Sequence, residues 1–347
     1  MDAHPGPAAA RDPVAVSSDP RHPPARPDGQ GDAAASQHPH AARRARAELL
    51  SRDQLAALMP RNDRDAAWRL AGHLALLGLG EWAIAASRGS LWVWPAVFLT
   101  GVVLVHLFAP QHECAHFSAF RMRRANAVVA WLCGLAIIVP QLHFRYEHTE
   151  HHAQTNLVGR DPERIPMPRS AWEYLSYLSG LPYWWSGLSG IVRRALGRLN
   201  DEEIGFTPVP ARPRLVLEAR VMAAVYAGAA LAIAAGVDAL LWHWVLPLLL
   251  GQPVMRWIRM TEHVGCVTEP EPLRNTRSTD VAAPWRWLAW NMNYHAEHHI
   301  APPVPFHALP RLREQLGASL PVRQGYGAAH REIVSQLRMG NRASRMG

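Results

Sequence analysis

The chain is expected to fold as an all-α integral membrane protein, with about four transmembrane helices in two hairpins beneath a cytosolic, helical, histidine-rich cap. Three observations predict this. Segments at about 67–87, 91–110, 216–236 and 239–258 approach the roughly 20 apolar residues needed to span a bilayer. Short connections at Ser87–Ser90 and near Asp238 pair them as hairpins. Three histidine clusters, His112-Glu-Cys-Ala-His116, His148-Thr-Glu-His151-His152 and His295-Ala-Glu-His298-His299, each lie beside an apolar stretch.

In chain order, residues 1–47 read as a disordered tail rich in Pro, Ala and Arg, with too few large apolar residues to offset the entropy of ordering. The tail lacks the apolar core of a signal peptide. Arg43, Arg44 and Arg46 then precede an amphipathic stretch, Ala47–Met59, read as lying on the membrane surface. Residues 48–320 form the membrane domain. Its first span carries His73 and Glu81. Arginines in the tail, at Arg121–Arg124, at Arg145 and at Arg193–Arg198 belong on the cytoplasmic side by the positive-inside rule. With the N-terminus inside, the second span delivers His112 to the cytosol and the fourth delivers His263.

The stretch Ala125–Leu142 would rise about 27 Å as a straight helix, almost the hydrocarbon thickness. A true crossing would put the first two clusters on opposite sides of the bilayer. The segment is therefore read as buried or half-inserted, returning to the cytosolic face. Ala171–Val192, rich in Trp and Tyr, reads as interfacial. Residues 321–347 are expected as a C-terminal cytosolic tail.

Composition narrows the chemistry. The chain has 347 residues, 49% of them hydrophobic, and a net charge of +8, yet it contains no lysine. That excludes Schiff-base, pyridoxal-phosphate and P-loop chemistry, which need a lysine amine. No nucleic-acid fingerprint accompanies the basic charge, which suits a lipid-facing rim. Three cysteines without a C-x-x-C pair suggest a reducing compartment.

Histidines at i, i+3 and i+4 share a helix face, and imidazole is the commonest metal-binding side chain. Eight imidazoles exceed the four ligands of a tetrahedral zinc but suit two ions with open positions. Residues 112–116 alone match H-E-x-x-H, the zinc-protease motif with Glu113 as general base. That reading leaves the other two clusters unexplained. Glu113, Glu150, Glu262 and Glu297 sit next to cluster histidines and are candidates to accept ring N–H bonds. His73, His106, His143, His243 and His307 read as structural.

The pattern H-x3-H, H-x2-H-H, H-x2-H-H resembles that of the membrane fatty acid desaturase superfamily of non-haem diiron enzymes. The stretch from Trp290 to Pro310 carries the most specific likeness, with Thr261-Glu-His263 and Arg274–Thr279. Together they resemble the bacterial branch that includes dihydrorhizobitoxine desaturase. The likeness covers roughly residues 65–320. It implies a four-span fold, two iron ions, O2 as co-substrate, and desaturation of a lipid or acyl chain at the cytosolic face of a bacterial inner membrane. Hydroxylation, ketolation or oxidative decarboxylation would use the same centre. The resemblance implies as ligands His112, His116, His148, His151, His152, His295, His298 and His299, with His263 making nine. Where the acyl-CoA branch has an asparagine contacting a metal-bound water, this chain has Arg259. Asp161-Pro-Glu163 resembles a family loop and has no role assigned. With no dinucleotide fingerprint, rubredoxin-like module or fused haem domain, electrons are expected from an external ferredoxin, rubredoxin or cytochrome b5-like donor.

Overall fold

The computed structural model describes residues 44–346, so most of the expected tail lies outside the described residues. Where description begins, residues 44–49 are already helical, and Ala45 and Leu50 are buried. Helix α1 (Arg52–Leu58) follows, opened by a capping box in which Ser51 and Gln54 satisfy each other's backbone N–H groups. Leu50 and Leu58 pack with Ile300, Leu309 and Leu312. This corrects the expectation for Ala47–Met59: its apolar face covers the histidine-bearing cap rather than a membrane surface.

Helix α2 (Asp63–Ser87) starts at an Asn62 cap, with Asp63 and Asp65 complementing the helix dipole. Trp68, Leu79 and Trp82 on it are exposed, as expected of a lipid-facing helix. Helices α3 (Val93–Val105) and α4 (Phe108–Ala115) form one apolar run. Three stretches of described helix are long and apolar enough to cross a membrane: Asp63–Ser87, Val93–Ala115 and Val209–Ala234, the last containing α10 (Arg212–Ala234 within it).

Between them, helices α5 (Arg123–Ile137) and α6 (Gln141–Gln154) meet at a bend of 100°. Ile138 adopts the left-handed conformation there (φ 63°), and Val139 N–H donates back to Gly134 O at 2.8 Å. A Cβ at Gly134 would overlap the Val139 carbonyl, so this turn needs glycine. Gln111 Nε2 donates to Val139 O at 2.9 Å, and the Glu218 carboxylate on α10 accepts from Leu142 N–H at 2.9 Å, capping α6. The bend thus turns the segment back, and the first two clusters share one end of the bundle.

Helices α7 (Ala171–Leu178), α8 (Leu181–Ala195) and α9 (Asp201–Phe206) precede α10. Trp172, Leu175, Leu181 and Trp185 point outward from α7 and α8. The expected span 239–258 is partly α11 (Leu246–His263), entered through a π-helical turn, Leu241–Val245. It is not among the three spanning stretches, because it continues to His263 through Arg256, Arg259 and Glu262. Gly101 of α3 and Gly251 of α11 lie backbone to backbone, so that a Cβ on either would overlap the other helix.

The cap adds β1 (Ser278–Asp280), α12 (Ala283–Leu288), α13 (His295–Ile300) and α14 (Leu309–Leu316). Strand β2 (Val322–Gln324) pairs parallel with β1, with Ser278 opposite Val322. The helix α15 (Tyr326–Met346) buries Ile333 against Met260 and Val264. Residues 321–346 are therefore not a free tail, and the small sheet qualifies the all-α expectation.

Candidate metal centre

Helices α4, α6, α11 and α13 end around one point and bring nine histidines into two groups. His112, His116, His148, His152 and His298 form one; His151, His263, His295 and His299 form the other. The assignment follows from helix geometry. Residues at i and i+4 share a face, whereas sequence neighbours point about 100° apart. His148 and His152 accordingly enter the first group while His151 enters the second. In the third cluster the pattern is exchanged, with His295 and His299 in the second group and His298 in the first.

Four of the nine rings, those of His148, His151, His263 and His299, have a partner at Nδ1. His148 Nδ1–H donates to Glu163 Oε1 at 2.7 Å and His151 Nδ1–H to Asp161 Oδ1 at 2.8 Å. His263 Nδ1–H donates to Asn275 O at 3.1 Å, and His299 Nδ1 lies 3.2 Å from Thr155 Oγ1. In these four rings the Nδ1 partners place Nε2 on the inward side, and for His148, His151 and His263 the inferred tautomer leaves Nε2 with a free lone pair. On that side Nε2 atoms meet one another: His148 to His152 at 3.0 Å, His152 to His298 at 3.1 Å, His263 to His295 at 3.0 Å and His295 to His299 at 3.2 Å.

Facing lone pairs repel unless a cation lies between them. Two nitrogens each about 2.1 Å from one ion and at a right angle would lie about 3.0 Å apart, which matches. His112 Nδ1 and Nε2, His116 Nε2 and His151 Nε2 are buried without a hydrogen-bond partner, a costly state that metal ligation would relieve at one nitrogen of each ring. Burial first, then neighbouring imidazoles, holds the pKa values of His295, His298 and His299 well below the usual histidine range. Neutral imidazole is the form that binds metal. The residues fit two ions.

The carboxylates that brace the rings are not those expected. Among the described residues, none of Glu113, Glu150, Glu262 and Glu297 has its carboxylate hydrogen-bonded to a ring of the nine. Glu113 accepts from Ser118 Oγ at 2.9 Å and Phe306 N–H at 3.0 Å, tying the cap to α4. Glu297 is engaged by Ser278 and by Arg313 at 2.8 Å. Glu262 pairs with Arg259 at 2.5 Å and stays 3.7 Å from His295. Glu150 is half-buried on α6. The bracing comes instead from Asp161 and Glu163. Burial would raise the Asp161 pKa, but His151 beside it and the hydrogen bonds it accepts hold it below the ordinary carboxyl value. The available signal was the Asp-Pro-Glu tripeptide itself, two acids in a tight turn shortly after a histidine cluster.

Arg259 is buried and links Glu163 (2.7 Å) to Glu262. Among the described residues, the five histidines read as structural stay outside both groups. His73 and His106 donate to Val103 O and Val102 O, His143 lies by Glu203, His243 pairs with Glu81 at 2.6 Å, and His307 lies near Asp65.

Beside His112 and His295 is a void of ≈ 30 Å³ bounded by Phe108, Met255 and Arg259. The same three residues line a cavity of ≈ 460 Å³ that continues past Phe144, Ile137 and Tyr183. A cavity lined by both apolar and charged side chains, Glu147, Glu202 and Arg256 among them, thus reaches the residues that bound the void beside the histidines.

The family model for fatty acid desaturase matches residues 88–329. A fatty acid conjugase of Calendula officinalis is 35% identical over 91 residues, covering 26% of this chain and 24% of that protein. Chloroplastic omega-6 fatty acid desaturases match as well. The one from Arabidopsis thaliana is 31% identical over 99 residues, 27% of this chain and 21% of that protein. The one from Brassica napus is 25% identical over 234 residues, 63% of this chain and 51% of that protein. The chain thus spans between about a fifth and half the length of these relatives.

Proposed function

The chain belongs to the fatty acid desaturase family, and from that premise we propose that it is an O2-dependent membrane oxidase that introduces a C=C bond into an acyl chain. The observation that carries this reading is the pair of histidine groups with ring nitrogens turned toward one another, beside a cavity walled in part by apolar side chains. One iron would be held by His112, His116, His148, His152 and His298, the other by His151, His263, His295 and His299. When bound, they would supply the oxidising power of reduced O2, which side-chain acids and bases lack.

The chain's own residues do the rest. Asp161 and Glu163 hold two rings in the ligating tautomer. Phe108, Phe144 and Met255 give the approach an apolar wall for a hydrocarbon chain. The balance is one methylene pair, O2, two electrons and two protons giving one alkene and two waters. The electrons come from a separate ferredoxin, rubredoxin or cytochrome b5-like donor. In this reading the π-helical turn and α11 together complete a fourth crossing paired with α10, and the arginine distribution would turn the site to the cytosol of a bacterial inner membrane.

The zinc-protease reading needs Glu113 free to act as a base; here Ser118 and Phe306 engage it. The test is mass spectrometry of lipids from a host expressing the protein, with iron per chain measured for His151→Ala and His298→Ala, one from each group. The expected product lacks two hydrogens, and both variants lose iron and product. Full iron and full activity in both would overturn the assignment, as would stoichiometric zinc with peptide cleavage.

A further inference from the structure

Among the described residues lining the cavity beside the metal centre, which include the carboxylates of Glu147 and Glu202, Arg256 is the arginine that forms no ion pair. Helix α11 presents Gln252, Arg256, Arg259 and His263 at intervals of four, three and four residues, a single stripe running to the metal centre. Of the arginines lining the cavity, Arg193 and Arg194 pair with Glu203 at 2.5 and 2.6 Å, and Arg259 pairs with Glu163 and Glu262. Arg256 has no carboxylate within ion-pair distance among the described residues.

Its direct partners are neutral, and the Glu262 carboxylate acts on it only at longer range. Its guanidinium lies over the face of Tyr183 at 4.1 Å and that of Tyr177 at 6.0 Å. With the Gln252 amide turned so that its oxygen faces the guanidinium, that oxygen accepts from Nε at 3.1 Å and from Nη2 at 3.3 Å. A half-buried, unpaired arginine within an apolar bundle is costly and marks a functional position. The tyrosine faces support its charge, and the guanidinium fork matches carboxylate or phosphate oxygens.

We propose that Arg256, framed by Tyr183 and Gln252, binds the anionic end of an amphipathic substrate whose hydrocarbon runs along Phe108 and Met255 to the void beside His112 and His295. The ligand chemistry is a carboxylate or phosphate head on an alkyl chain, in preference to a neutral ester. This rests on the acyl-chain reading above and adds the selection of the head.

The test is equilibrium binding of radiolabelled palmitate, palmitoyl lysophosphatidate and methyl palmitate to the iron-loaded full chain in neutral detergent, for the parent, Arg256→Gln and Arg256→Lys. The parent is expected to bind at least one anion tenfold or more tighter than the methyl ester. Arg256→Gln should bring that anion down to the ester's level, and Arg256→Lys should retain part of the preference. Tightest binding of palmitate identifies a free carboxylate, and tightest binding of lysophosphatidate a lipid phosphate. The parent comparison decides even if a variant fails to fold. Equal binding of anions and ester by the parent, or equal loss of all three in Arg256→Gln, overturns the proposal and leaves the desaturase reading standing. No binding of any of these chains by the parent would overturn both.

Discussion

Asp161→Asn separates the bracing role of the 161–163 loop from mere burial of an acid. Asp161 Oδ1 accepts from His151 Nδ1–H at 2.8 Å and from Glu163 N–H at 2.9 Å, and Oδ2 accepts from Asn156 N–H at 2.7 Å. The side chain is 1% exposed, so water cannot replace a lost partner. Asparagine has one acceptor and one donor for these three donors. If its NH2 takes the Oδ2 place, it meets Asn156 N–H. If it turns over, it meets both His151 and Glu163, and His151 keeps a bond only by moving its proton to the nitrogen that faces the centre. The first arrangement is cheaper, leaving a buried donor unsatisfied at about 1–3 kcal/mol and exchanging a charge-assisted bond for a neutral one at about 1 kcal/mol. The share felt by the metal is about 10- to 100-fold in affinity. The assay is iron retained per chain after dialysis against graded chelator, with thermal melting of the metal-free protein alongside. Asp161→Asn and Glu163→Gln should lower the chelator midpoint, whereas Glu113→Gln should leave it within about threefold while lowering the melting temperature. Midpoints for Asp161→Asn and Glu163→Gln within twofold of the parent would refute the argument.

Two further expectations concern packing. Gly251→Ala drives a methyl group into the Gly101 backbone, and should cost about 1–3 kcal/mol, read as a lower melting temperature in detergent; an unchanged melt would show that α3 and α11 are not in close contact. Leu58→Ala empties a site that is 2% exposed and should cost about 2–5 kcal/mol. A loss below 0.5 kcal/mol, roughly the level of a surface change, would return Ala47–Met59 to the membrane surface.

The histidines were legible because their spacing is a local, helical period that reports directly which side chains converge. The return of the segment Ala125–Leu142 was legible too, since two clusters of one centre cannot lie across a bilayer, although the turn at Gly134 and Ile138 that performs it was not. The carboxylates were misread for a geometric reason. Glu113, Glu150, Glu262 and Glu297 are sequence neighbours of ligands, and one step along a helix turns a side chain about 100° away. Asp161 and Glu163 reach rings 10 and 15 residues upstream through a loop, a relation with no period to detect. The apolar face of Ala47–Met59 showed burial but not against what, because hydropathy does not distinguish lipid from protein as the covering surface, and the packing of α15 was missed when residues 321–347 were read as a tail.

Helix α6 belongs to both halves of the centre. It gives His148 and His152 to one group and His151 to the other, and a single loop braces a ring of each. Rotating α6 to suit one ion therefore sets the position of the ligand it offers the other. Filling either group prepays the ordering of its neighbour, which is thermodynamic linkage between the two sites. Singly loaded chains should be scarce at every metal concentration, and the titration should rise more steeply than two independent sites allow.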